Sequence, residues 1–193
     1  MPNLKFGKHK RGYTLVEFLE VLGILCVVVG SSLLFLTSTL RGTNQANISA
    51  EIKQNGQAVL DNLDSQIRNA TSVSGDGTGK HIRLERSNAD PLHVKCFDPD
   101  ATTGSEKNGK ISTVVSTSGN PLDSTYTDIT NSDLISGVDI TACSLTVRGA
   151  SAGTSSPPIV TISFIASQGL KAPSRQDYKA SVTFQTTISL RRY

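Results

Sequence analysis

Histidine is scarce in this chain and tryptophan is absent: three of the 193 residues are histidine, and aromatic side chains make up only 5%. His9 lies in a basic N-terminal stretch, which leaves His81 and His93 as the imidazoles available for chemistry. The serines crowd into Ser/Thr-rich loops with no histidine near them in sequence, so nothing supplies the base that a serine nucleophile needs. No G-x-S-x-G elbow, phosphate-binding loop or dinucleotide fingerprint occurs. The chain is therefore not expected to be an enzyme. His93-x-x-Cys96 together with Cys143 offers three zinc donors, but no fourth is evident, and no metal site is expected there.

A true basic excess is also missing, although the formal charge is +3. Lys5, Lys8, Lys10 and Arg11 fall within the first 12 residues, which contain no acid. Taking those four from 19 basic side chains leaves 15 against 16 acidic ones, a net charge of −1. A near-neutral remainder argues against a general polyanion-binding role. The basic cluster reads instead as a positive-inside signal that holds the N-terminus in the cytoplasm.

What the chain does have is a long apolar run from Tyr13 to Leu36, long enough to cross a bilayer as a helix. The run is not clean, because Glu17 and Glu20 fall in its first third. A charge in hydrocarbon costs several kcal/mol unless it finds a partner. A solitary anchor gives no reason for two acids there, whereas a helix buried among sister helices does. The alternative is an ordinary secretory signal cut near Val28-Val29-Gly30, which would place both glutamates between its basic and apolar regions.

Beyond residue 36 the pattern stays helical and becomes amphipathic. Ile48, Ile52, Gly56, Val59, Leu63, Ile67 and Ala70 recur at intervals of three or four and share one face. Glu51, Lys53, Asn55, Asp61 and Arg68 cover the other sides. Gly56, inside the apolar stripe, predicts a close approach to a sheet. Gly42 and Thr43-Asn44-Gln45 weaken the helix and predict a bend or a partly unwound turn. The run Ser74-Gly75-Asp76-Gly77-Thr78-Gly79 stops it.

The texture then turns to β, with strands expected at 81–86, 91–97, 110–115, 139–148 and 159–166. The last strand is the clearest: Tyr178, Ala180, Val182, Phe184, Ile188 and Leu190 alternate with polar residues, and it should pair with 159–166. The expected fold is α+β, a long N-terminal helix packed on one antiparallel sheet. Its parts are a leader at 1–12, a membrane-spanning helix at 13–36, an amphipathic continuation at 37–72 and a β-rich head at 73–193. Cys26 reads as a small buried hydrophobe in the apolar run. Cys96 shares a face with Leu92 and Val94, and Cys143 with Leu145 and Val147, so both thiols point toward the core. In a part that the leader places outside the cytoplasm they form either one disulfide or two separate buried thiols.

Gly12-Tyr13-Thr14-Leu15-Val16-Glu17, with the basic leader before it and the apolar helix after it, resembles the N-terminal cleavage and methylation motif of type IV pilins and type II secretion pseudopilins. The resemblance covers about the first quarter of the chain. It implies that a membrane prepilin peptidase cuts after Gly12 and methylates the new amine of Tyr13. It also implies that Glu17 guides assembly into a filament by meeting the Tyr13 amine of a neighbour. The partners implied are other pilin or pseudopilin subunits, the peptidase, an inner-membrane assembly platform, and membrane lipid before assembly. The implied location is the bacterial cytoplasmic membrane, single-pass with the head outside, and then the pilus or pseudopilus.

Within that family, Thr186-Thr187-Ile188-Ser189-Leu190-Arg191 is similar to the strand ending of J-type pseudopilins and related minor pilins. Glu20 departs from the pattern, which has an apolar residue at that place, and this favours a low-copy position over simple major-pilin packing. Some secretion pseudopilins hold calcium in the head. Asp98-Pro99-Asp100-Ala101-Thr102-Thr103-Gly104 is the segment with oxygens at alternate positions, but its glycine is misplaced for an EF-hand and the closing glutamate is missing, so a solvated turn is expected and no cofactor. The other reading is an uptake or adhesion pilin whose head grips DNA or a surface. The head's basic residues are dispersed along the sequence, so nucleic acid is not an expected partner.

Overall fold

The computed structural model describes residues 14–149, 157–173 and 179–190; Gly12, Tyr13, Tyr178 and Arg191 lie outside that set. One helix, α1 (Leu15–Arg68), is followed by eight strands. The chain divides into two compact units between Thr43 and Asn44. Residues 42–45 are helical, so the unwound turn expected there is not formed. Thr43 donates its hydroxyl back to the Thr39 carbonyl at 2.9 Å, which satisfies within the helix a group that would otherwise compete with it.

In the second unit, α1 lays Ile52, Gly56, Val59, Leu60, Leu63 and Ile67 into the core. This is the expected stripe widened by Leu60, which flanks Val59; a helix on a sheet buries a band wider than a single row. Ile48 is half-buried at its edge.

The sequence reading expected one sheet, and the structure has two. The first is β1 (Ser72–Gly75), β2 (His81–Arg86), β3 (Ala89–Phe97), β4 (Lys110–Val115) and β5 (Thr127–Asp128), paired antiparallel in that order. The second is β6 (Val138–Arg148), β7 (Ile159–Gln168) and β8 (Ser181–Ser189). The expected hairpin of the last two strands forms, with Phe164 opposite Phe184 and Val160 opposite Ile188. β1 falls partly within the Ser/Gly run read only as a helix stop. Its single buried residue, Val73, pairs with Leu84, and one apolar side chain is too few to make a visible alternation.

The two sheets stay separate because the outer edge of β6 does not pair with another strand. Its Ile140 amide donates to the Gly109 carbonyl at 3.0 Å, and its Leu145 amide to the Gly79 carbonyl at 2.7 Å. Loops from the first sheet thus satisfy the edge at two points. Gly109 is required at one of them, since a Cβ there would stand 2.1 Å from the Ile140 oxygen. The core of the head, with Leu84, Val94, Ile111, Leu145, Ile162 and Phe164 among its buried members, draws on the helix and both sheets.

Candidate functional site

In the first unit, every described residue from Thr14 to Thr43 is exposed, including Leu15, Phe18, Leu19, Ile24, Leu34 and Phe35. The helix is long and apolar enough to cross a membrane. Its polar residues carry little hidden cost. Ser31 and Ser32 donate to the Val28 carbonyl at 3.0 and 2.8 Å, and Thr39 to the Phe35 carbonyl at 2.9 Å. Hydroxyls satisfied within the helix leave its surface effectively apolar. Cys26, expected to be buried, is exposed, because no described element covers this stretch.

Glu17 has a partner that the sequence reading missed. The Thr14 amide and hydroxyl donate to Glu17 Oε2 at 3.0 and 3.2 Å, and the Glu17 amide donates to Thr14 Oγ1 at 3.3 Å. This is a reciprocal capping box, in which each side chain satisfies a backbone donor that the first turn leaves orphaned. The signal for it in the sequence is Thr14-x-x-Glu17 before an apolar run. One carboxylate oxygen makes both contacts, so Oε1 remains able to accept. The Glu20 side chain makes no hydrogen bond or ion pair among the described residues, and Gly12 and Tyr13 lie outside them.

In the head, Cys96 of β3 is bonded to Cys143 of β6, with Cα atoms 6.1 Å apart and both residues buried. The choice left open by the sequence is settled as a disulfide, and it ties one sheet to the other. It also removes both sulfurs from the His93, Cys96, Cys143 zinc set. Among the described residues, no group of three or more His, Cys, Asp or Glu side chains is placed to hold a metal ion. In the segment 98–104, the Asp100 carboxylate takes the Thr102 amide and hydroxyl at 2.9 and 2.5 Å. Those hydrogen bonds hold its pKa below the ordinary value. Asp98 pairs with Lys80.

Strand register also collects lysines that the sequence disperses. Lys110 is the cross-strand partner of Phe97, and Lys95 lies two residues before it on the same face. Their ammonium groups sit 5.5 and 5.2 Å from the centre of the Phe97 ring, within cation–π range. Each lysine is answered by an acid: Lys95 by Asp123 at 2.5 Å and Lys110 by Asp128 at 2.8 Å, as Lys80 is by Asp98. The patch is charge-balanced, unlike the unopposed stripe that phosphate binding uses.

Comparison of the chain with protein-family models, with curated proteins and with solved structures finds no match.

Proposed function

We propose that this chain is a structural subunit of a pilin-like filament, made as a membrane precursor and assembled through the N-terminal half of α1. The observation that carries the reading is an exposed apolar helix whose first turn holds a carboxylate with one oxygen left to accept. Exposed apolar surface on this scale marks a membrane or protein contact, and the carboxylate gives sister helices a register point. The basic residues ahead of it set the topology and leave with the leader when the chain is cut after Gly12. In the assembled state the free oxygen of Glu17 accepts from the Tyr13 amine of a neighbour, which removes an otherwise unpaired charge from a low-dielectric core. Glu20 marks a special position in the filament, in keeping with a minor pilin or pseudopilin.

The direct test is co-expression of the full chain with a prepilin peptidase, followed by intact-mass and N-terminal analysis. A product that begins at methylated Tyr13 supports the reading, as does its loss in Gly12→Val. A product that retains residues 1–12 in the presence of an active peptidase overturns it.

A further inference from the structure

His93 is fully buried, with 0% exposure, although its neighbours Leu92 and Val94 already fill the core side of β3. By strand alternation its ring lies on the opposite face, and what covers it there is the segment that follows β4. His93 Nε2 meets the Ser116 carbonyl at 3.2 Å. Two residues on, Lys95 pairs with Asp123 at 2.5 Å; two further on, Phe97 meets the Tyr126 ring edge-on with centroids 5.6 Å apart. The segment 116–126 is thus a strap tied to three successive same-face residues of β3.

The first tie is linked to a second histidine. His81 Nε2 and His93 Nδ1 are 2.9 Å apart. The ring planes are parallel within 6° and the centroids 5.1 Å apart, so the two rings meet edge to edge. The partners fix the protons. A carbonyl only accepts, so His93 Nε2 carries hydrogen; neutral His93 then accepts at Nδ1, and His81 Nε2 is the donor. Protonation of His93 keeps its Nε2–H on the Ser116 carbonyl, a contact that favours the charged ring. It places a second N–H against the His81 donor, so the histidine pair is the contact that protonation breaks.

Register places this pair among fixed cations. His81 is opposite Lys95, and Arg83 is opposite His93. The acids nearby are Asp76 from the β1–β2 turn, Glu85 on β2 and Asp123 on the strap. Glu85 is engaged by Arg83 at 2.8 Å and Asp123 by Lys95. On β4 the residue opposite His93 is the uncharged Val114. Of these described acids only Asp76 remains to answer two imidazolium charges, and like charges directly opposite on a sheet are destabilising.

We propose that His81 and His93 form an acid-sensitive latch, which holds the 116–126 strap on the sheet at neutral pH and frees it when both imidazoles are protonated. This is independent of the filament reading. Burial, and for His81 also the neighbouring His93, pushes both imidazoles below their ordinary value. The unfolded or opened state therefore binds protons first, and the closed state loses stability as pH falls from about 6.5. Titration of Asp128 and Asp76 does not mask this, and Asp139, which burial raises, lies on β6 of the other sheet. Burial raises Asp128, but hydrogen bonds from Lys110, Ser112 and Ser132 outweigh it and hold it low. Thr78 does the same for Asp76 against its burial.

The test uses the full-length protein in detergent micelles. At about pH 7.5, ¹⁵N-detected imidazole spectra should show both histidines as Nε2–H tautomers; an Nδ1–H tautomer at His93 overturns the proposal. Amide exchange across 116–126, corrected for the intrinsic pH dependence, should lose protection about tenfold or more by about pH 5, while β7 keeps its own. In the double variant His81→Gln, His93→Gln, strap protection should not change over the same range. If that variant does not fold, His81→Gln alone retains the donor and removes one titration, so its transition should take up one proton rather than two. Equal loss of protection in wild type and variant overturns the latch.

Discussion

Gly56 of α1 lies against the ring of Phe184: a Cβ built on it would stand 2.2 Å from the ring's terminal carbon. Phe184 is in turn stacked on Phe164, with centroids 5.0 Å apart, so it has little room to retreat. Gly56→Ala sets two terms against each other. Alanine gains about 0.5–1 kcal/mol of helix propensity, whereas overpacking costs about 1–3 kcal/mol. The net expectation is a loss of up to about 2.5 kcal/mol, read as a lower denaturant midpoint. Phe184→Leu in the same chain should recover much of it, and equal losses with and without Phe184→Leu would show that the ring is not the obstacle.

That contact also shows how the fold could be read from the residues. A glycine interrupting an apolar stripe has few physical explanations, and close approach to a sheet is one; the face from Ile52 to Ile67 was legible by its three-to-four-residue spacing and the β7–β8 hairpin by two-residue alternation. Division of the strands into two sheets was not. It depends on β6 giving its edge amides to the carbonyls of Gly79 and Gly109, and such long-range loop contacts leave no periodic trace. The candidate site divides in the same way. Glu17 was conspicuous as a charge in an apolar run, while spacing alone does not show that its carboxylate turns back to the Thr14 amide and hydroxyl. The pairing of Phe97 with Lys110 depends on register, which the lysines' sequence spacing does not reveal.

The Cys96–Cys143 bond spans 47 residues of chain and crosses between sheets. On the chain-entropy estimate a closed loop of that length stabilises by about 4 kcal/mol. Cys143→Ser should therefore lower stability by about 2–4 kcal/mol, with the loss removed when wild type is measured under reducing conditions. Alkylation gives an independent check. Before reduction only Cys26 should be labelled in denatured protein, and after reduction all three cysteines.

Asp139 at the start of β6 is buried, and its carboxylate accepts the Gly109 amide at 2.7 Å. Burial raises its pKa above the ordinary aspartate value, with the Gly109 amide opposing the rise. The folded state therefore holds this proton longer than the unfolded chain does. Its contribution is fully present below about pH 3.9 and is lost as pH rises through the folded value. Asp139→Asn keeps an oxygen for Gly109 and removes the charge. Its stability relative to wild type should improve between about pH 4 and pH 7. Denaturant midpoints measured across that range would test this, and a variant that loses ground as pH rises would contradict it.

Glu17 caps the first turn of α1, and one substitution can separate that role from the proposed one in assembly. In the capping box a glutamine serves as well as a glutamate, because its amide oxygen can accept the Thr14 amide and hydroxyl. It cannot supply the negative charge that the proposed contact with a neighbour's Tyr13 amine would need. Glu17→Gln should therefore leave the precursor stable, membrane-inserted and processed, yet sharply reduce its entry into sheared filaments relative to wild type. Thr14→Val should give the opposite profile. It removes the hydroxyl from the cap, frays the first turn at a cost of about 1 kcal/mol, and leaves the charge in place, so filament entry should largely persist. Quantitative immunoblots of membrane and filament fractions distinguish the cases. If the glutamine variant assembles normally while the valine variant does not, Glu17 acts through the helix end, and the intermolecular ion pair is excluded.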